Sequence, residues 1–485
     1  MDKHRPDWLK SALSPSSFMR QRIASGRDAK RSWRPRMMVT RHLSPERIFI
    51  LSFAGLILTG AFLLWLPFSA DKTPLPWVDA LFTSASAVCV TGLATIAVGQ
   101  DLSTAGQVVL ICLFQVGGLG ILTFSAVFFV MLGRGLASKE HDIMQSVFLC
   151  APRRDLRSIL KFVFLSTFLY EGAGTLLLWA RFSQDFTGGE ALYKAVFHAV
   201  SAFNNCGFSL FSDNLVSYQG DPVVNLTVMG LIVAGGIGFI VHYELHMRVF
   251  GKQRRLSVHT KVVLLATGVL IAVGAVLFFV FENERILKDL PWQNRVLASL
   301  FQSITPRTAG FNTVDIGMLA NETILLMITL MFIGASPGST GGGVKTTSAS
   351  LLFLIMWSRL RGREEVNVFN RTIPRELLQR TISIILAASL SVCFIMSILL
   401  LSADHSGPPA GSRHLFVEYI FETVSAFGTV GLSMNLTPSL NTPQKLAVIL
   451  MMFAGRVGPL TLAFSLARIT ARRSYTYAEE GVMVG

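Results

Sequence analysis

Four short segments of the chain each join small, hydroxyl or apolar residues to one glycine, and the backbone carbonyls of such segments are able to bind a cation. The four glycines are Gly92, Gly207, Gly310 and Gly431. Each follows an amphipathic stretch that begins with a phenylalanine, at Phe82, Phe197, Phe301 and Phe421. Successive glycines lie 115, 103 and 121 residues apart, and recurrence at similar intervals indicates an internal repeat. The pattern predicts four related loops that meet at one site.

The chemistry that these loops predict is cation binding by backbone oxygens. A stretch of about ten residues is too short to cross a bilayer and is typical of a re-entrant half-helix. Glycine adopts positive φ without strain, so the carbonyls beside it can turn toward a common axis. A ring of carbonyls replaces the hydration shell of a potassium ion. Half-helices that end at such a ring direct their negative ends toward the cation.

The elements that must position the loops are membrane spans. Of the 485 residues, 51% are hydrophobic and only 15% are charged, whereas a soluble chain carries about 25% charged residues. Each apolar run approaches or exceeds the ~20 residues that cross a bilayer. The runs are Ile48–Leu66, Gly106–Leu132, Ile159–Ala180, Val223–Val241, Val262–Phe281, Ile324–Ile333 continued by Ser348–Trp357, Thr381–Leu401 and Leu446–Leu466. They predict an all-α membrane protein with eight transmembrane spans.

The basic residues lie in alternate gaps between these runs. They cluster before Ile48, between Arg134 and Arg157, between Arg248 and Lys261, between Arg359 and Arg380, and in the tail from Arg468 to Arg473. Because cytoplasmic loops carry the excess of Lys and Arg, both termini are expected in the cytoplasm, which requires an even number of spans. The net charge of +14 is therefore interpreted as a topology signal within a lipid membrane, and no nucleic-acid partner is expected.

Spans and loops together divide the chain into an arm and four pseudo-repeats around one pore. Each repeat consists of a span, a re-entrant pore loop and a second span. The predicted divisions are residues 1–47, a basic cytoplasmic N-terminal arm; 48–132, repeat 1 with its loop near Gly92; 133–249, repeat 2 with its loop near Gly207; 250–357, repeat 3 with its loop near Gly310; and 358–485, repeat 4 with its loop near Gly431 and the C-terminal tail.

The sixth apolar run is interrupted within the membrane. Its break, residues 334–347, holds Gly334, Ala335, Ser336, Pro337, Gly338, Ser339, Thr340, Gly341, Gly342, Gly343 and Lys345. A proline and five glycines cannot sustain a helix, so irregular backbone is expected at pore depth. Lys345 and Arg456 are bases in apolar surroundings, which is a functional hypothesis by default. We expect Arg456 to lie below the loops, to bond this segment and to oppose a resident cation.

The same sequence disfavours several other activities. It contains no GxxxxGK[ST], GxSxG or HExxH motif, so an enzyme is not expected and no nucleotide should bind to this chain. The five cysteines are scattered without metal-ligand spacing. The spans are nearly free of acids, with Glu171 and Glu244 as exceptions. Proton relays need chains of acids or histidines, so channel-like conduction is preferred.

The motifs around these glycines resemble the Trk/Ktr/HKT superfamily of potassium transporters, and in particular its KtrB-type subunits, from about Ile48 onward. The resemblance implies a selectivity filter at Val90, Thr91, Gly92, Asn205, Cys206, Gly207, Thr308, Ala309, Gly310, Thr429, Val430 and Gly431. It implies K⁺ binding at Thr91, Gly92, Cys206, Gly207, Ala309, Gly310, Val430 and Gly431. It also assigns the break at 334–347, with Lys345 and Arg456, to an intramembrane gate.

The resemblance further implies a homodimer in the bacterial cytoplasmic (inner) membrane, controlled by a cytoplasmic nucleotide-binding (RCK-type) ring. Potassium is the expected ion, because related plant transporters that favour sodium have a serine at the first filter position, whereas this chain has a glycine in all four filter segments; sodium is the alternative. Three other interpretations stay open at this point: an ion-coupled Trk-type symporter subunit, the pore subunit of an ATP-driven potassium pump, and a sensor that retains the scaffold without conduction.

Overall fold

The computed structural model describes residues 45–131, 156–251, 255–403 and 413–458. In the first half of this part the helices are α1 (Pro45–Trp65), α2 (Trp77–Val88), α3 (Val98–Asp101), α4 (Thr104–Met131), α5 (Leu156–Phe182), α6 (Gly188–Phe203), α7 (Pro222–Gly236) and α8 (Phe239–Val249). In the second half they are α9 (Val258–Glu282), α10 (Trp292–Ile304), α11 (Asn321–Phe332), α12 (Thr346–Leu360), α13 (Arg375–Leu401), α14 (Arg413–Gly428) and α15 (Thr442–Val457). The fold is predominantly helical.

Several helix starts are set by local sequence. Asp221 accepts hydrogen bonds from the backbone N–H groups of Val223 and Val224 at the start of α7, with Pro222 as the first helical residue. Asn441 and Gln444 form a reciprocal capping box at the start of α15. Such caps satisfy N–H groups that have no partner inside the helix. They fix where the helices after the second and fourth glycine segments begin.

The chain crosses the membrane several times. Among the described residues, three helices are long and apolar enough to span it: Lys161–Phe182, Val258–Glu282 and Arg375–Leu401. A fourth candidate is the pair α7 and α8, which bends by 99°. Shorter apolar helices occur at Ile50–Trp65, Thr104–Gly120 and Asn321–Phe332. The protein is thus a multi-pass membrane protein.

Four short helices, α2, α6, α10 and α14, each end just before one of the four glycine segments, and we call them the loop helices. Each packs against the long helix that precedes it: α1, α5, α9 and α13. The phenylalanines that mark the repeat, Phe82, Phe197, Phe301 and Phe421, are fully buried. Burial of these rings anchors each loop helix and so determines where its C-terminal end lies.

Three expectations need correction. The run Val223–Val241 was expected as one span, but the backbone turns sharply at Gly238, where φ is +92°. The break predicted at 334–347 is shorter, because Thr346 already begins α12. The chain is not wholly helical, since Asn367–Val368 pairs with Arg371–Thr372 as a two-stranded antiparallel hairpin. Glycine and the turn residues Phe369 and Asn370, both with positive φ, allow these departures.

Some expectations fall outside the described residues. These are most of the basic arm at 1–47, most of the basic gap after the second apolar run, the end of the run Leu446–Leu466 and the C-terminal tail.

Candidate functional site

The four glycine segments share one backbone conformation that most residues avoid. In each, a residue with positive φ is followed two positions later by a glycine with positive φ: Val90 (56°) and Gly92 (90°), Asn205 (58°) and Gly207 (78°), Thr308 (72°) and Gly310 (76°), Thr429 (52°) and Gly431 (93°). Positive φ is a genuine outlier for β-branched residues such as valine and threonine. Strain of this kind persists only where the surrounding structure imposes it, and it concentrates at functional sites.

The four segments meet one another in a closed ring, which we call the glycine ring (residues 90–92, 205–207, 308–310 and 429–431). Each glycine lies against the carbonyl oxygen that precedes the glycine of the next segment. A Cβ atom on Gly92 would lie 2.0 Å from the oxygen of Cys206, one on Gly207 2.6 Å from Ala309, one on Gly310 2.3 Å from Val430, and one on Gly431 2.1 Å from Thr91. Only glycine permits this close approach.

Each segment is bonded back to its own loop helix by the backbone. The N–H groups of Thr91, Cys206, Ala309 and Val430 donate to carbonyls one turn earlier, at Ser86 (2.7 Å), Ser201 (2.8 Å), Thr305 (3.0 Å) and Ser425 (2.8 Å). These bonds use helix-terminal carbonyls that would otherwise have no partner. The carbonyls of the residues that donate remain available to face a bound ion.

The four residues whose carbonyls accept these bonds also carry side-chain hydroxyls, and our sequence interpretation missed this set. Ser86 and Ser425 accept bonds from the N–H groups of Gly92 (3.0 Å) and Gly431 (3.2 Å). Ser201 and Thr305 donate to the carbonyls of Phe208 (2.8 Å) and Phe311 (2.5 Å). The signal was available, because a serine or threonine stands four residues after each repeated phenylalanine. About one turn of helix separates the phenylalanine from the serine or threonine. The phenyl side chain packs inward, and the hydroxyl one turn later reaches the glycine segment.

Three of the helices that follow the loops carry a second repeated feature. A Cβ on Gly117, Gly235 or Gly455 would lie 2.2, 1.9 or 1.9 Å from the carbonyl oxygens of Val88, Phe203 and Phe427, at the ends of α2, α6 and α14. The sequences are Gly117-Gly-Leu-Gly120, Gly235-Gly-Ile-Gly238 and Gly455-Arg-Val-Gly458. Arg456 thus stands where the other two repeats have Gly118 and Gly236.

The break in the sixth run lies against the glycine ring. We call residues 334–345 the break segment. The N–H of Gly342 donates to the hydroxyl of Thr429 at 3.0 Å. A Cβ on Gly341 would lie 2.0 Å from the hydroxyl of Thr308. On its other side, the break segment contacts the bend between α7 and α8, where the N–H of Phe239 donates to the carbonyl of Gly338 at 2.9 Å. The segment therefore connects three repeats.

Arg456 makes the hydrogen bond to the break segment that the sequence led us to expect. Its guanidinium donates to the carbonyl of Thr340 and to the carbonyl of Gly117 (2.6 Å). The side chain is only 5% exposed. Lys345 turns back and donates to the carbonyl of Gly341 at 2.7 Å. Within the described ranges neither base forms a salt bridge, so two basic side chains without an acidic partner lie close to the ring.

The two acids noted in the spans have different partners. Glu171 is buried and accepts hydrogen bonds from the side-chain amides of Asn204 (3.1 Å) and Gln115 (3.3 Å). Asn204 immediately precedes the ring residue Asn205, so this carboxyl group supports the second segment. Glu244 accepts from the backbone N–H of Ser257 at 3.0 Å, and this bond joins α8 to the start of α9.

A predominantly helical chain with several membrane passes and four loops gathered in one ring is compatible with a membrane transport protein. Residues 42–474 match the TrkH family, described as cation transport protein. The chain belongs to this family.

Known relatives cover nearly the whole chain. The chain is 39% identical to the Ktr system potassium uptake protein B of Bacillus subtilis (strain 168) over 449 residues, which are 91% of this chain and 97% of that protein. It is 34% identical to the potassium/sodium uptake protein NtpJ of Enterococcus hirae, over 92% of this chain and 98% of that protein. The crystal structure of the potassium transporter TrkH from Vibrio parahaemolyticus has the same fold, with a TM-score of 0.68 at 20% identity over 88% of this chain and 86% of that one.

Proposed function

We propose that the protein takes up potassium across the bacterial cytoplasmic membrane through the glycine ring, which acts as its selectivity filter. The observation that carries this proposal is the closure of the ring, in which every glycine contacts the carbonyl before the next glycine. K⁺ would be held by the carbonyls of Thr91, Cys206, Ala309 and Val430 with those of the four glycines. Rings of backbone carbonyls substitute for the hydration shell of potassium.

Two further features support a cation as the transported ion. The loop helices α2, α6, α10 and α14 end next to the ring, so the negative ends of four helix dipoles face it. The ring itself offers backbone carbonyls, which are uncharged oxygen ligands of the kind that coordinate K⁺ in selectivity filters.

The pore would be built from four pseudo-repeats with eight spans and both termini in the cytoplasm, divided as the sequence predicts. The order of long helix, loop helix, glycine segment and second helix supports this arrangement. Residues 334–343, with Lys345 and Arg456, would form the gate. Support comes from the contacts of the break segment with Thr308 and Thr429 of the ring.

Regulation would come from outside this chain. Two relatives are named Ktr system potassium uptake protein B, and the word system implies that such a protein works with other subunits. We propose a homodimer bound to a cytoplasmic nucleotide-binding ring that controls the break segment. Size-exclusion chromatography with light scattering on the detergent-solubilised protein tests the dimer, and a purely monomeric protein would contradict it.

Sodium-coupled or sodium-permeable uptake is a second candidate, since one relative is a potassium/sodium uptake protein. The test for both is rubidium and sodium uptake in a bacterial strain that lacks its own potassium uptake, for the wild type, Gly92→Ser and the control Gly268→Ala. A Cβ on Gly268 meets no atom within 4 Å. We expect the wild type and Gly268→Ala to take up rubidium in competition with potassium. Gly92→Ser should lose this uptake or shift it toward sodium. Equal behaviour of Gly92→Ser and wild type would refute the filter.

A further inference from the structure

One buried polar position recurs in all four loop helices. It is the residue immediately after the repeated phenylalanine, and its occupants are Thr83, His198, Gln302 and Glu422. They lie nine, nine, eight and nine residues before the ring glycines. All are at most 1% exposed. Glutamate and glutamine are seldom buried completely without a partner, so a polar side chain at every one of these positions needs an explanation.

In three repeats the explanation is a bond to the chain that leaves the ring. His198 Nε2 lies 2.9 Å from the hydroxyl of Ser209, and the side-chain amide of Gln302 donates to the hydroxyl of Thr313 at 3.3 Å. Glu422 accepts a bond from the hydroxyl of Thr437. These partners follow the glycines by two, three and six residues. The fourth occupant, Thr83, has no partner for its hydroxyl in the described part of the chain.

The fourth repeat has the most developed form of this bond. Thr437 also lies within hydrogen-bond distance of Ser433, at 3.2 Å, and Ser433 stands two residues after Gly431. Glu422, Thr437 and Ser433 therefore form a short polar chain behind the ring. The second carboxyl oxygen of Glu422 has no partner in the described residues. A buried carboxyl is costly unless its bonds are made; the hydroxyl of Thr437 provides one of them, and an apolar residue at this position could not accept that bond.

We infer that Glu422 is a positioning residue for ion selectivity, and that His198 and Gln302 have the same role in their own repeats. Each side chain joins the rigid loop helix to the segment beyond its glycine. Movement of that segment would move the carbonyls on either side of the glycine. A binding constellation keeps its geometry only when supporting side chains lock it. This inference rests on the proposed function of the glycine ring.

The test is the ratio of rubidium to sodium flux into liposomes that contain the purified full-length protein. Glu422→Val removes the acceptor, whereas Glu422→Gln keeps the length and one acceptor oxygen. We expect the ratio to fall about tenfold in Glu422→Val and to stay within about twofold of wild type in Glu422→Gln, since a bond to a buried carboxyl is worth at least about a factor of ten. The control is Thr423→Val, because Thr423 is equally buried but donates to Tyr419 within its own helix at 2.7 Å.

A merely structural role would lower the amount of active protein without changing the ratio, and that result would overturn the inference. If Glu422→Val does not accumulate in the membrane, Thr437→Val removes the same bond from the other side, and the same fall in the ratio is expected. An unselective wild-type protein would refute the potassium filter itself. A selective wild type with an unchanged ratio in the variants would refute only the role of Glu422.

Discussion

Replacement of Arg456 by glutamine should release the break segment. The arginine is 5% exposed and joins two elements, since it donates to Thr340 in the break segment and to Gly117 in α4. Glutamine is shorter and uncharged, so it cannot make both bonds. We expect Arg456→Gln to raise rubidium uptake measured without the cytoplasmic partner, because the break segment is then no longer held to α4.

The size of the effect follows from the two bonds. A hydrogen bond to a charged group contributes about 1.5–3 kcal/mol, so both together hold the break segment by about 3–6 kcal/mol. At about 1.4 kcal/mol per factor of ten, their loss shifts the balance between closed and open states by roughly 10²- to 10⁴-fold. Relief of the buried charge recovers part of this energy, so an increase of about tenfold or more in Vmax is expected.

The assay is initial rubidium uptake at several potassium concentrations, normalised to the amount of protein in the membrane. The matched control is Arg285→Gln. Arg285 is half-exposed and pairs with Glu322 at 3.3 Å, and an exposed pair contributes at most about 1 kcal/mol. Its uptake should equal that of the wild type. Unchanged Vmax in Arg456→Gln, or a fall in Vmax with normal amounts of folded protein, would refute the gating role of Arg456.

Three further predictions concern the scaffold. Asp79→Asn breaks the 2.6 Å ion pair with Lys445 that joins α2 to α15, and a thermal melt should report a loss of about 1–3 kcal/mol; an unchanged melting temperature would contradict the pairing. Glu171→Leu removes the carboxyl that accepts hydrogen bonds from the side-chain amides of Asn204 and Gln115 and should lower the free energy of unfolding by about 1–3 kcal/mol, whereas Glu171→Gln should cost at most about 1 kcal/mol; an unchanged melting temperature in Glu171→Leu would contradict the role of these bonds. Gly117→Ala places a Cβ 2.2 Å from a backbone oxygen and should reduce folded protein strongly, while Gly268→Ala should not; normal yield of both would be inconsistent with this packing.

The backbone features that the sequence anticipated are those with a one-residue signature. Glycines at equivalent positions, such as Gly92 and Gly431, predicted loops, and all four have positive φ. The run of glycines around Pro337 predicted a break between two helices, and helix ends at Phe332 and Thr346 flank it. A charge in an apolar run made Arg456 conspicuous. In each case a single residue type is unfavourable in a continuous apolar helix, so its presence predicts a different local structure.

The parts that were missed depend on geometry or on partners far away in the chain. The bend at Gly238 lies inside an apolar run, and hydropathy does not change across it. Its cause is the break segment, whose Gly338 carbonyl lies a hundred residues further along the chain. The ion pair between Asp79 and Lys445 spans 366 positions. The serine and threonine after each phenylalanine were visible as a pattern, yet only the folded loops reveal which backbone group each hydroxyl contacts.

The most direct test of the potassium filter is anomalous diffraction from crystals grown in rubidium. Rubidium substitutes for potassium and is visible in the anomalous signal. We expect a peak inside the glycine ring, coordinated by the carbonyls of Thr91, Cys206, Ala309 and Val430, that survives excess sodium and disappears with excess potassium. A ring without rubidium, or a peak that sodium removes as readily as potassium does, would contradict the assignment of this ring as a potassium filter.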